Sequence, residues 1–202
     1  MLIRLEDLVS KYNIKFNGIL HVGAHECEEI SDYEKYISRD KVLWIEALPD
    51  KVESSRARFQ NILIEEAVVS DVVETVTFNR SNNGQSSSFL ELGLHLDAHP
   101  DICYVSSFVA ETKVLKNILC KYDIPFNFLN FDIQGAELKA LKGMEDHLQN
   151  VDYIYTEVNL DYVYKDCALV TEIDDYLLKF GLHRVETIWT GGKWGDAFYI
   201  RK

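Results

Sequence analysis

The 202-residue chain has three prolines, four scattered cysteines and 21 basic residues against 33 acidic ones. It also has no long uncharged apolar run. The missing run excludes a transmembrane helix, and Met1-Leu2-Ile3-Arg4 does not open a signal peptide. The formal net charge of −12 argues against a nucleic-acid backbone or an anionic membrane as the main partner, since both reward a basic surface. Cys27, Cys103, Cys120 and Cys167 form no C-x-x-C pair, which speaks against structural zinc. Reduced, buried thiols in a cytoplasmic protein are the simple expectation for all four. With few prolines, no Gly/Ser linker and no internal repeat, residues 1–202 read as a single domain. At 47% hydrophobic and 27% charged residues, the chain is long and apolar enough for a real core.

A dinucleotide fingerprint is absent as well. Residues 19–27 run from an apolar strand into Gly23, but His25 and Glu28 stand where G-x-G-x-x-G needs its later glycines. The next apolar run, Val42-Leu43-Trp44-Ile45, ends in Glu46. Strand, Gly turn, helix, strand and terminal carboxylate are the layout of a nucleotide-binding βαβ unit, in which the carboxylate takes the two ribose hydroxyls. Glu26 and Glu28 would repel a pyrophosphate and suit a cation. A sulfonium nucleoside, S-adenosylmethionine, fits this better than NAD does.

Periodicity gives the remaining elements. A cap helix is expected within residues 1–17, with Leu2, Leu5, Leu8, Val9 and Tyr12 at helical spacing. Strands are expected at 18–22, 41–46, 61–65, 126–132 and 151–157, and helices at 25–37, 49–59, 111–122, 134–142 and 168–180. Residues 182–187 and 194–201 pair around Gly191-Gly192 as a hairpin. Between the two βαβ halves, residues 73–111 form an excursion. It holds short strands near 75–78 and 103–109, a polar loop at 81–88 and irregular chain at 89–103. The whole is a doubly wound α/β sheet, whose ligands sit at the carboxyl ends of the strands. Gly23, Glu46, Glu66, Asp132 and Glu157 all fall there.

Three blocks carry a family resemblance: Val22-Gly23-Ala24-His25, Ala67-Val68-Val69-Ser70-Asp71, and Phe131-Asp132-Ile133-Gln134-Gly135-Ala136-Glu137-Leu138 with Leu141-Lys142-Gly143 behind it. Gly84 with Ser86-Ser87-Ser88 adds a serine-rich loop. In order and spacing these resemble the FkbM-type S-adenosylmethionine-dependent methyltransferases over most of residues 18–200. The resemblance implies a Rossmann-like class I methyltransferase fold: a doubly wound, mostly parallel seven-stranded sheet with an antiparallel C-terminal strand. It implies transfer of a methyl group to a hydroxyl of a sugar or another small-molecule acceptor. Gly23, Ala24, His25, Glu46, Glu66, Ala67, Ser87 and Asp132 are the expected cofactor-binding residues. The chain departs from the family at His21, where Asp is usual, and at Gln134, where Glu is usual. The second change leaves one carboxylate fewer beside Asp132, so no divalent metal is expected.

Asp132 is the first candidate for the base that accepts the hydroxyl proton, although an Asp between strand and helix also serves as an N-cap. His99 is the second, because imidazole titrates near neutral pH. His95 and His99 are spaced i, i+4, but Leu96 replaces the zincin Glu and Pro100 ends the helix, so a metal pair is not expected. Glu137 is read as stabilising a helix N-terminus. Trp189, Trp194 and Tyr162 could face a sugar ring or simply pack the hairpin. A nicotinamide- or nucleotide-dependent Rossmann enzyme and an inactive binding module of the same fold are the alternatives. Nucleic-acid methylation is disfavoured by the acidic balance and by the lack of an N-P-P-aromatic motif.

Overall fold

Ile19–Val22, Val42–Glu46 and Phe128–Phe131 are buried at every position, as strands must be when helices cover both faces of a parallel sheet. The computed structural model describes residues 1–202. Its elements run α1 (Leu5–Tyr12), β1 (Ile19–Val22), α2 (Ile30–Tyr33), β2 (Val42–Glu46), α3 (Pro49–Arg58), β3 (Leu63–Glu66), β4 (Val69–Ser70), β5 (Thr75–Ser81), α4 (His95–Ala98), β6 (Tyr104–Glu111), β7 (Lys113–Val114), α5 (Leu115–Leu119), β8 (Phe128–Phe131), α6 (Glu137–Lys142), β9 (Tyr153–Asn159), α7 (Val170–Leu178), β10 (Leu182–Trp189) and β11 (Trp194–Arg201).

The main sheet has seven strands in the order β10-β11-β9-β8-β1-β2-β3. Pairing is parallel from β3 through β9, and β11 is antiparallel to both of its neighbours. This is a Rossmann-like, doubly wound sheet. Strand order reverses between β1 and β8, which puts the ligand-binding crevice outside their carboxyl ends. Two apolar clusters cover the two faces. One joins Leu20, Val22 and Phe131 to α5, α6 and α7, and the other joins Ile19, Trp44 and Phe128 to α1, α2 and α3. Leu5 and Leu8 of α1 are buried in the second cluster. No helix is long and apolar enough to cross a membrane.

Four local expectations are corrected. The helix expected over 25–37 is a single turn, α2. His25 and Cys27 have φ of 43° and 56°, and the Glu28 carboxylate takes the His25 ring and the Glu26 N–H, an alternative to helical pairing. The helix expected over 111–122 shrinks to α5, because the β5–β6 ladder holds the backbone extended as far as Glu111. The helix expected from 134 starts at Glu137, after Gln134 and Gly135 at φ 57° and 98°. In the last hairpin, Lys193 at φ 63° takes the left-handed position, not Gly191 or Gly192. The cysteines also divide: Cys27 and Cys167 are buried, whereas Cys103 and Cys120 are exposed.

Candidate active site

Two adjoining hollows lie at the strand-order reversal. A narrow crevice of about 60 Å³ is walled by Ile45, Glu46, Ala67, Val68 and Ile133 and roofed by residues 84–89. It opens into a polar cavity of about 470 Å³. Gly23, His25, Gln85, Asp132 and Gln134 line both.

Gly23 sits where only glycine fits. At φ +94° it is packed so tightly that a Cβ would sit 1.8 Å from the Asp132 carbonyl oxygen. The glycine brings the ends of β1 and β8 together; backbone contact across the switch point alone requires it.

Glu46 is buried and fixed by two main-chain donors, the His25 N–H at 2.7 Å and the Leu48 N–H at 2.8 Å. Burial pushes its carboxyl up, and these N–H groups partly offset that. Its oxygens are held against the crevice with lone pairs to spare for a diol. His25 is oriented in turn by Glu28, at 2.6 Å from Nδ1, and its buried Nε2 has no partner.

The cavity is organised by Gln134. Its Nε2 donates to Asp132 Oδ1 at 2.6 Å and to Glu157 Oε2 at 2.9 Å, and its Oε1 accepts from the Tyr164 hydroxyl at 2.6 Å. Asp196 stands next to this group, accepting from the Leu2 N–H at 2.6 Å and from the Tyr155 hydroxyl. Asp132 is open to cavity water but lies deep in the fold. Partial loss of bulk solvent, followed by the Asp196 charge, raises its carboxyl to about 6. Glu157 is buried and is held well above the ordinary range, first by burial and then by the charges of Asp132, Glu137 and Asp196. Asp132 does not cap α6. That helix has no side-chain cap, and Glu137 instead accepts the N–H groups of Ile133 and Gly135 at 3.0 and 3.1 Å.

Of the sequence-predicted residues, Gly23, His25, Glu46, Ala67, Ser87 and Asp132 converge on the crevice. The Ser87 hydroxyl is spent within its own loop, donating to the Gly84 carbonyl at 2.6 Å and accepting the Ser81 N–H at 3.0 Å. His99 lies on the exposed side of the cavity, 5.0 Å ring to ring from His95. Two residues lie outside both linings. Ala24 is buried with its N–H on the Ile45 carbonyl, and the Glu66 side chain is exposed. Trp194 lines the cavity, whereas Trp189 and Tyr162 are exposed outside it.

Sequence reading missed Asp196, Tyr155 and Tyr164 altogether, and noted Glu157 only as a strand end. The available signal was the Asp within the last apolar run, Trp194–Arg201, a costly place for an unpaired charge. His21 fills the place of the resembled family's Asp as a buried ring stacked on Trp44 at 4.5 Å. Its Nδ1 lies 3.0 Å from the Tyr33 hydroxyl. Burial lowers its basicity, and the ring forms part of the cavity wall.

Comparison with known proteins gives the family and the fold. The model of the FkbM methyltransferase domain matches residues 21–183. A search of curated protein sequences gives no match. Among solved structures, the chain is similar to magnesium protoporphyrin IX methyltransferase from Synechocystis, solved with bound S-adenosylmethionine. The TM-score is 0.53 at 9% identity, covering 98% of this chain and 76% of that one. It is also similar to a ribosomal protein L11 methylase from Lactobacillus delbrueckii, with TM-score 0.52, 10% identity, and 96% and 74% coverage. An S-adenosylmethionine-dependent methyltransferase from Clostridium acetobutylicum gives TM-score 0.52, 6% identity, and 98% and 89% coverage. At such identities the likeness is one of fold.

Proposed function

The chain belongs to the FkbM methyltransferase family, and from that premise we propose that it transfers a methyl group from S-adenosylmethionine to a hydroxyl of a sugar or glycosylated acceptor. The observation that carries this reading is the sharing of Asp132 between the two hollows. One is a crevice with a buried carboxylate for a ribose; the other is a polar cavity large enough for a small acceptor. The donor, when bound, supplies an electrophilic methyl on a sulfonium.

The chain's own residues would do the rest. Ile45, Ala67, Val68 and Ile133 offer apolar walls to a nucleobase, and Glu46 offers acceptors to the ribose diol. The carboxylates of the cavity favour a sulfonium and an ammonium over any anion. Loop residues Asn83, Gln85 and Ser86, with His95, His99 and Ile102, form the wall contributed by the 73–111 excursion, and this wall is proposed to shape the acceptor pocket. Asp132 accepts the acceptor's hydroxyl proton, and His99 is the second candidate. Positioning supplies most of the rate, with reacting atoms held roughly 3–3.5 Å apart. No step needs a divalent ion.

The test is a turnover screen of the purified chain with labelled donor against free sugars and glycosides, with magnesium or with EDTA. Methyl label on a sugar oxygen at equal rates in both conditions is the expected result. Label on no glycoside, with the donor shown to bind, would overturn the acceptor class. Magnesium-dependent turnover would overturn the metal-free mechanism.

A further inference from the structure

The side chains of the large cavity are rich in carboxylates, and the amine of Met1 stands at its edge. Glu28, Glu29, Asp132, Glu157 and Asp196 line it, and no Lys or Arg side chain does. Glu28 is answered by the His25 ring, and Glu29 lies 3.6 Å from the Met1 amine. Asp132, Glu157 and Asp196 make no ion pair, although the charge of the Met1 amine reaches Asp132. Asp132 and Glu157 share the Gln134 amide, and Asp196 has only the Leu2 N–H and the Tyr155 hydroxyl. These three come from adjacent strands: Asp132 just beyond β8, Glu157 on β9 and Asp196 on β11, with Glu157 and Asp196 directly opposite in register. Such a facing pair of like charges is unfavourable unless something neutralises it.

A second observation is independent of the carboxylates. His95 is only 6% exposed, its Nδ1 has no hydrogen-bond partner, and it lines the same cavity. A buried polar atom left unpaired costs about 1–3 kcal/mol, and an ammonium or hydroxyl of a bound molecule would satisfy it. The donor does not balance the site. Its ammonium and sulfonium are offset by its own carboxylate, leaving one net positive charge against the three acids Asp132, Glu157 and Asp196.

We propose that the acceptor is a cationic polyol, an amino sugar or a glycoside bearing one, whose ammonium group sits against Glu157 and Asp196 while a neighbouring hydroxyl takes the methyl group. This rests on the hydroxyl-methylating function proposed above. Sugar phosphates and uronates are excluded by the same charge that recruits the amine. The apparent surplus of acid is then a selectivity filter, completed by the substrate.

The experiment compares four acceptors on the full chain with labelled donor: methyl glucoside, methyl glucosaminide, its N-acetyl form and glucuronic acid. The amino sugar should exceed the neutral and N-acetylated sugars in kcat/KM by about ten- to a hundredfold, the range of one charge-assisted hydrogen bond. Glucuronic acid should not turn over. Asp196→Asn should bring the amino-to-neutral ratio towards one. The N-acetyl comparison uses the unaltered protein, so it stands even if that variant misfolds. Equal kcat/KM for all uncharged and cationic sugars, with the methyl group on oxygen, would overturn the amine and leave the hydroxyl reading intact. Methyl on nitrogen would keep the cationic acceptor and overturn the hydroxyl reading. Failure of every sugar, with donor binding shown by calorimetry, would overturn both.

Discussion

Glu157 on β9 and Asp196 on β11 are paired directly across an antiparallel ladder, two buried carboxylates on facing positions. Gln134 gives Glu157 one hydrogen bond, and Tyr155 and Leu2 serve Asp196. None of these partners carries a positive side chain. Like charges placed opposite each other on a ladder are destabilising.

Glu157→Gln should therefore stabilise the free protein. The folded-state carboxyl lies above its unfolded value, so its penalty is absent below the unfolded pKa and grows as pH rises through the folded one. Relief of about 1 kcal/mol corresponds to roughly 2–4 °C in Tm for a chain of this size. Calorimetric melts at pH 8 should show the gain, and melts at pH 5 should show less of it. A Tm that is unchanged or lower at pH 8 contradicts the expectation.

Gln134→Glu should act in the opposite sense. It removes the amide that bridges Asp132 and Glu157 and adds a carboxylate to the cluster. The new acid would titrate high for the reasons that raise its neighbours, so the loss of stability should be small at pH 5 and several degrees in Tm at pH 8. Equal loss at the two pH values would mean that packing, not charge, explains the amide.

Activity should rise through a pH of about 6. Asp132 is raised to about 6 and must be ionised to accept a proton, so kcat/KM of the free enzyme gains its ascending limb there. Asp132→Asn should remove that limb and lower kcat by about 10²–10⁴, while affinity for S-adenosylhomocysteine changes far less. His99→Ala separates the two candidate bases, and retention of the limb in that variant is the result expected. If the limb disappears with His99 instead, the base is the histidine.

Glu46→Ala should weaken S-adenosylhomocysteine about a hundredfold in titration calorimetry, the effect of losing paired hydrogen bonds from a charged acceptor to a diol. The same change strips the acceptor from the His25 and Leu48 N–H groups. A stability loss of about 1–3 kcal/mol in denaturant melts should accompany it. Unaltered affinity would remove Glu46 from the donor site.

The alternation of apolar runs determined the doubly wound sheet, because a strand buried on both faces and a helix with one apolar stripe leave different periods in the sequence. The strand-end acids Glu46 and Asp132 were legible for the same reason: the architecture puts ligands at carboxyl ends, and short spacing in the chain puts these residues there. The start of α2 was not legible. Glu28 folds back on His25 through side-chain hydrogen bonds that no helical periodicity records. Nor was the reason for Gly23, which is an approach of the Asp132 carbonyl from more than a hundred residues away.

The sequence by itself determined the layers, the crevice residues near Gly23 and the family they resemble, all of which depend on local order and short spacing. Only the tertiary structure decided the acidic cavity. It joins Asp132, Glu157 and Asp196 through strand neighbours fixed by the whole sheet, and inserts β11 between β9 and β10. Strand register is a long-range outcome of burial, so the chemistry that depends on which carboxylates face each other does not appear until the chain is folded.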